Sequence, residues 1–543
     1  MKKRIIALLT AVLMVLTAVE AYAYKKEEMA AAWITTVYST DFPKTKTAKE
    51  QKKEFDELID NLKDMGINTA IVQVRPKGDA LYESEINPWS DVLTGTQGKD
   101  PGYDPLEYMI KAAHKRGMDI HAWLNPYRVT TSGTDISKLC ETHPARLNPD
   151  WVIEHNNALC YDPSNEEVKE HIIDSVKEII ENYDVDGIHF DDYFYPSGYP
   201  LSPGEDKNGR EANERREHVN DLVEGVYKAI KRSGKDIVFG ISPTGICVNE
   251  ETGKFGSVIR GYEGRNSVYA DPRVWIEEGW IDYITPQIYW ETTHSTAAFE
   301  TVVKWWINET KGTDTDLYIG HGLYKDEVAK EIGLQLAILD VYGDDVDGSF
   351  FYSTRDLVAN RQGSAEAIKT HYGNKAAIDE PVVDIPFVPE VTPSVPETKE
   401  PEIILFEAEA IYSASKVMVD NKSISFEAYN IGGYTYFKLR DVAMALNGSA
   451  KSFDTLWDTK AQRIDIVTGI NYTVAGGELK TGNGKNKKAV LSSAGISLNG
   501  NTVSPLAYNI NGNNYFKLRD LGDLIGFGVE WNDLSKTIEI KTK

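Results

Sequence analysis

The stretch Asp186-Gly187-Ile188-His189-Phe190-Asp191-Asp192-Tyr193-Phe194-Tyr195-Pro196 decides how the chain is read. An Asp-Gly turn opens it, a short apolar run follows, and two adjacent carboxylates close it among aromatics. Buried parallel strands read as near-continuous apolar runs. Here the run is broken by His189 and Asp191, two residues apart and therefore on one face. Polar side chains on the inner face of a buried strand are costly unless they are paired or used. A lone Asp would serve equally well as the cap of a following helix. Two carboxylates with three aromatics point to a site.

Working outward, strand-like and helix-like stretches alternate in both directions. Upstream lie a strand at 31–38, a helix at 49–65 with Phe55, Leu58, Ile59 and Leu62 at helical spacing, and a strand at 69–75. A helix at 105–116, a strand at 119–124 and a helix at 166–182 complete the approach. Downstream come a helix at 210–232, strands at 237–243, 283–289, 317–323 and 348–352, and a closing helix past Leu357 to Ile368. Eight strands, each followed by a helix, predict an α/β fold: a (β/α)₈ TIM barrel with insertions. A doubly wound sheet would show a glycine-rich phosphate turn after its first strand, and Thr36-Val37-Tyr38 contains none.

Barrel enzymes carry their sites where the strands end. Those ends hold Gln73, Arg75, Asn125, Tyr127, Arg128, Asp191, Asp192, Ser242, Gln287, Tyr289, Trp290 and Tyr324, with Asp79 on the loop after strand two. The opposite ends are apolar or turn-forming. Carboxylates among many Tyr and Trp suit a sugar chain, because aromatic faces stack on pyranose rings while polar groups take the hydroxyls. The chain has 11 Trp and 29 Tyr, several of them beside strand ends. Glycoside hydrolysis needs two carboxyls about one bond, one protonated and one ionised, and neighbouring carboxylates raise one another's pKa.

Other chemistries fit less well. No Gly-x-Ser-x-Gly elbow is present. No metal or other cofactor is expected: paired His at metal spacing are missing, and a His121, His189, Asp191 set is the one alternative. His189 reads more simply as a polar neighbour orienting Asp191. A net charge of −24 argues against nucleic acid as a partner. Residues 1–23 have the basic start, apolar middle and Ala-Tyr-Ala end of a secretory signal, so a secreted or cell-surface protein without a remaining membrane span is expected. Three scattered cysteines make no disulfide framework.

Four motifs resemble a known family. They are Ile71-Val72-Gln73-Val74-Arg75-Pro76 with Asp79-Ala80-Leu81-Tyr82, Ala122-Trp123-Leu124-Asn125-Pro126-Tyr127-Arg128, the central stretch, and Thr285-Pro286-Gln287-Ile288-Tyr289-Trp290. In this order they look like glycoside hydrolase-like family ten, a group of secreted bacterial barrels distinct from the xylanases of the same number. The resemblance implies a glycosidase whose substrate is the glycan strand of peptidoglycan. Aligned on the chitinase-type motif Asp-Gly-x-Asp-x-Asp-x-Glu, this chain has Tyr193 where the acid would stand. Amylase-like and α-galactosidase-like barrels place a nucleophilic Asp where Asp191 lies, which makes Asp191 the expected nucleophile or base. Asp192, Glu291 (where galactosidase-like barrels carry their acid) and Asp79 are the candidate acids. Gln73, Arg75, Asp79, Asn125, Tyr127, Arg128, His189, Tyr193, Gln287, Tyr289 and Trp290 are the expected sugar contacts.

The barrel is expected over 24–373, a Pro-rich linker over 374–403 and a second module over 404–543. That module holds a repeat: Ala428 to Asp441 returns as Ala507 to Asp520, an offset of 507 − 428 = 79 residues. Each copy reads as a hairpin turning at Gly433 or Gly512, a helix near Arg440 or Arg519, and a strand pair. It resembles the stalk domain of bacterial surface proteins, also called copper amine oxidase N-terminal-like. No His follows His371, which speaks against copper and leaves attachment to the cell surface as its role. Two readings therefore stand: a secreted glycosidase of a cell-wall glycan, and a non-catalytic glycan-binding surface protein on the same scaffold.

Overall fold

A computed structural model of the chain describes residues 28–373 and, apart from a few short breaks, 407–542. The expected signal and linker lie outside the described residues. Eight strands form a closed barrel: β1 (Met29–Ile34), β2 (Thr69–Arg75), β3 (Asp119–Leu124), β4 (Gly187–Phe190), β5 (Val238–Ile241), β6 (Tyr283–Ile284), β7 (Asp316–Gly322) and β8 (Gly348–Tyr352). Each pairs in parallel with its neighbours in chain order, and β8 closes on β1 with Met29 opposite Gly348.

The outer helices start and stop where the sequence says they should. α1 (Ala48–Asp64) begins at Thr47, whose side chain accepts from the Glu50 amide, and it buries Phe55, Ile59 and Leu62. α2 (Pro105–His114) is capped by Asp104 with Pro in its first turn. α3 (Glu166–Asn182) is capped by Asn165. α4 (Arg210–Ser233) stops at Gly234, which adopts φ 68°. α5 (Pro272–Glu277), α6 (Phe299–Thr310) and α7 (Ile332–Tyr342) follow β5, β6 and β7.

Several boundaries differ from expectation. β1 ends at Ile34, because the chain turns at Tyr38 (φ 58°) and Ser39 (φ 52°). β6 stops at Ile284, since Pro286 has no amide hydrogen for a ladder. The closing helix is two short ones, Thr354–Val358 and Ser364–Ile368, with left-handed Asn360 and Gln362 between them.

The barrel interior is aromatic and polar rather than aliphatic. Trp33, Trp123, Tyr283, Tyr318 and Phe350 pack there. A Cβ on Gly240 would stand 1.9 Å from the Tyr283 ring, so only glycine lets that ring cross the barrel. Trp33 Nε1 donates to His189 Nε2 (3.1 Å), which leaves the proton of a neutral imidazole on Nδ1, facing the Tyr283 hydroxyl at 2.9 Å. Tyr283 in turn meets His121 Nδ1 at 2.9 Å. Burial holds His121 down at about 4 and His189 well below its ordinary value, so both are neutral.

The second module is a closed six-stranded barrel flanked by two four-stranded sheets. Its hairpins, Ala428–Ile431 with Tyr434–Lys438 and Ala507–Ile510 with Asn513–Lys517, lie side by side. Tyr429 meets Tyr515 edge-on and Tyr508 meets Tyr436 likewise, at 5.6 and 5.2 Å, so the copies are related by a pseudo-twofold axis. The repeats exchange strands: Lys416–Val419 of the first pairs with Thr537–Lys541 of the second, and Arg463–Thr468 with Gly495–Leu498. The module is seated on the barrel through a buried ion pair between Lys517 and Glu300, and Arg519 donates to the Gly256 carbonyl at 2.7 Å. Among the described residues no helix is long and apolar enough to cross a membrane.

Candidate active site

β4 ends at Phe190, so the strand's alternation does not extend to the two carboxylates that follow. Asp191 is 4% exposed. Its carboxylate accepts from Trp123 Nε1 (3.0 Å), from Asn125 Nδ2 (2.9 and 3.2 Å) and from the Tyr193 amide (3.1 Å). The last of these folds the chain back in an Asx turn and leaves Asp192 on the open side. Burial raises Asp191 above the usual carboxylate range, while Arg128 and the three donors favour its charge.

Asp192 is half-buried, and a hydrogen bond with Gln287 lowers its pKa. Burial first and the charge of Asp191 second push its carboxyl up to about 6. Four phenols feel its charge: Tyr193, Tyr262, Tyr289 and Tyr324. Tyr193 is 54% exposed and lies under Arg128, whose guanidinium stands 4.0 Å from the ring centre. Tyr289 stacks on Tyr352 at 5.9 Å and 7°, with Tyr324 edge-on to both. A carboxyl that titrates near neutrality inside an aromatic ring is equipped to give and take a proton beside a sugar.

A cleft of about 390 Å³ adjoins this ring, walled by Tyr38, Arg128, Tyr193, Tyr352 and the hairpin Val152–His155/Ala158–Tyr161. Tyr38 is 72% exposed while holding a left-handed backbone, an expense for a large side chain that folding alone does not explain. Trp290 and Gln287 are half-buried, as is Glu291, whose charge acts on Glu331.

Several expected sugar contacts lie beneath the rim instead of on it. Gln73 is buried with its side-chain oxygen on the amides of Thr36 and Val37, so it holds the loop that carries Tyr38. Arg75 is fully buried and donates to the carbonyls of Asn125 and Pro126. Asp79 is buried, accepting from Gln97 and the Lys77 amide. Tyr127 is 1% exposed. Asn125 is spent on Asp191 and on the Arg128 amide. His189, expected to orient Asp191, instead meets Trp33, Ser242 and Tyr283. For Gln73, Arg75, Asp79 and Asn125 the physical reason is common: a polar group near a barrel strand end satisfies the loop backbone or its neighbours before it reaches solvent, whereas His189 is taken up by side chains inside the barrel. The His121, His189, Asp191 metal set does not assemble, since the Tyr283 hydroxyl lies between the imidazoles. Among the described residues no cluster of His, Cys, Asp or Glu could hold a metal.

Tyr38 and Tyr262 were not anticipated. Tyr38 read as strand, and Tyr262, 47% exposed with its hydroxyl on Ser197, sits in a loop without periodicity to mark it.

The profile of glycosyl hydrolase-like 10 matches residues 28–336, more than half of the chain. The chain belongs to the glycosyl hydrolase-like 10 family. Among its relatives, the glycosyl hydrolase YngK of Bacillus subtilis (strain 168) is 39% identical over 404 residues, covering 69% of this chain and 77% of YngK. The glycosyl hydrolase DigH of Escherichia coli (strain K12) is 38% identical over 328 residues, 55% of this chain and 74% of DigH. The catalytic domain of a β-amylase from Paenibacillus polymyxa superposes with a TM-score of 0.44 at 13% identity, covering 65% of this chain and all of that one (100%). The PgaB (BpsB) glycoside hydrolase domain from Bordetella bronchiseptica does so at 0.42 and 13%, covering 63% and 98%. This member of the family is thus glycosidase-like in sequence and built on a parallel eight-stranded barrel.

Proposed function

We propose that this chain is a secreted glycosidase that hydrolyses the glycan strands of bacterial cell-wall peptidoglycan. The observation that carries the reading is the pair at the end of β4: one carboxyl buried and fixed by three donors beside Arg128, the next raised to about 6 within a ring of tyrosines. Asp192 gives its proton to the leaving glycosidic oxygen. Asp191 remains the anionic partner, as nucleophile or base. To attack, it must exchange one present donor for the substrate, and the Asn125 amide that spans both oxygens is the group placed to move. Tyr38, Tyr193 and Tyr289 supply faces for sugar rings, and the second module serves attachment to the cell surface. Membership of a glycosyl hydrolase-like family supports the reaction class.

The test is incubation with peptidoglycan, chitin, cellulose and xylan in parallel, with products identified by mass. Release of glycan fragments from peptidoglycan that vanishes in Asp192→Asn is the expected result. Binding without products, equal in wild type and Asp192→Asn, would instead establish the non-catalytic glycan-binding reading.

A further inference from the structure

The second module carries two equivalent grooves, and only one of them is met by the barrel. The first is bordered by the start of α6, where Glu300 meets Lys517 and, one turn on, Lys304 lies 4.0 Å from Asp520. Its floor is Lys517, Leu518 and Arg519, which the repeat matches to Lys438, Leu439 and Arg440 at 517 − 438 = 79 residues. Its side is Val529, Glu530 and Ile538, matched by Thr455, Leu456 and Ile464 at a constant 529 − 455 = 74. All six counterparts line a second groove of about 370 Å³ that the barrel does not reach.

The state of the residues in the second groove is that of a site without its occupant. Lys517 is 7% exposed and paired with Glu300, whereas Lys438 has Asp441 at 3.8 Å, and that carboxylate is already engaged by the Leu479 amide. Leu456 and Trp457 are 54% and 46% exposed beside it and form an apolar edge. Arg440 is exposed on the same floor. Cationic floor and apolar edge together match what an amphipathic helix with an acidic first turn presents.

We propose that the groove of the first repeat docks a helix of another protein bearing a glutamate in its first turn, as the second repeat docks α6. A second copy of this chain does not supply that helix, because each Glu300 is already held by its own Lys517 and is 6% exposed. The module is therefore a bivalent adaptor, one groove for its own barrel and one for a partner.

A fluorescein-labelled peptide of residues 297–312, with Trp305→Ala and Trp306→Ala to remove the side chains that face the barrel core, is the probe. Titrated with the full chain, it should show saturable binding that weakens at least about tenfold in Lys438→Glu and in Arg440→Glu, the latter a surface change that leaves folding intact. The peptide with Glu300→Gln should weaken to the same degree, and Lys517→Glu in the protein should leave binding unchanged. Absence of saturable binding overturns the proposal. So does affinity that survives Arg440→Glu, or that is lost only in Lys517→Glu, since the peptide would then have displaced α6. Displacement of the peptide by soluble glycan fragments would assign the groove to sugar and overturn it equally.

Discussion

Asp191 and Asp192 are adjacent in sequence and opposite in environment: the first is buried against three donors, and its charge raises the proton affinity of the second. The contrast arises because β4 ends at Phe190 and the Tyr193 amide turns back onto Asp191.

Asp192→Asn should cut turnover by roughly 10²–10⁴-fold, the usual worth of a positioned acid. The same change should raise the melting temperature at pH 7. A carboxyl raised from 3.8 to about 6 on folding favours the native state fully below 3.8 and loses that contribution as pH rises through 6. Asparagine removes the burdened charge, so a gain of roughly 2–4 °C is expected. Calorimetry beside turnover checks both; a loss of stability would show that the charged form is the one the fold prefers.

The pH profile follows from the same group. If Asp192 acts as acid, kcat/KM should fall above about pH 6 as its proton is lost. An alkaline limb an order of magnitude or more away from that value would remove Asp192 from the acid role.

Asp191→Asn should lower turnover by several orders of magnitude and also move that alkaline limb to lower pH, because the neighbouring charge that raises Asp192 is gone. A merely structural Asp191 would leave the limb in place. Should Asp191→Asn keep near wild-type turnover while Glu291→Gln loses it, the nucleophile lies on the β6 loop.

Tyr38→Gly should raise KM about tenfold, the equivalent of ~1.4 kcal/mol of lost contact, with kcat little changed. It should also stabilise the fold, since glycine adopts φ 58° without strain. Steady-state kinetics on soluble oligosaccharides read the first effect and thermal unfolding the second.

Removing residues 374–543 should leave turnover of soluble oligosaccharides near wild type and lower the barrel's stability, because Glu300 loses Lys517 and the face under the module becomes exposed. Burial raises Glu300, but Lys517 and Lys304 bring it down to about 2. Its contribution is present above the ordinary 4.5 and lost as pH falls toward 2. Full-length and shortened proteins should therefore converge in melting temperature as the pH is lowered through that window.

The barrel was legible because periodicity and turn chemistry are local. Phe55, Ile59 and Leu62 mark α1, Gly234 ends α4, and the polar residues collect at one set of strand ends. Which of those polar residues meet solvent was not legible. Gln73, Arg75 and His189 share the rim's composition with Gln287 and Tyr193, and only the partners each one finds below the rim separate them. Tyr38 escaped notice for the opposite reason: its apolar neighbours extended the strand on paper past the point where the backbone reverses. The repeat in the second module announced two copies but not their exchange of strands, because pairing between copies leaves no mark in either one alone.

That exchange sets the order of events as the chain leaves the ribosome. Lys416–Val419 emerges well before its partner Thr537–Lys541, and Arg463–Thr468 waits for Gly495–Leu498. Neither copy can finish ahead of the other. The eight-stranded barrel, whose pairings all close by Tyr352, can be complete while the module is still an open chain with unpaired edges.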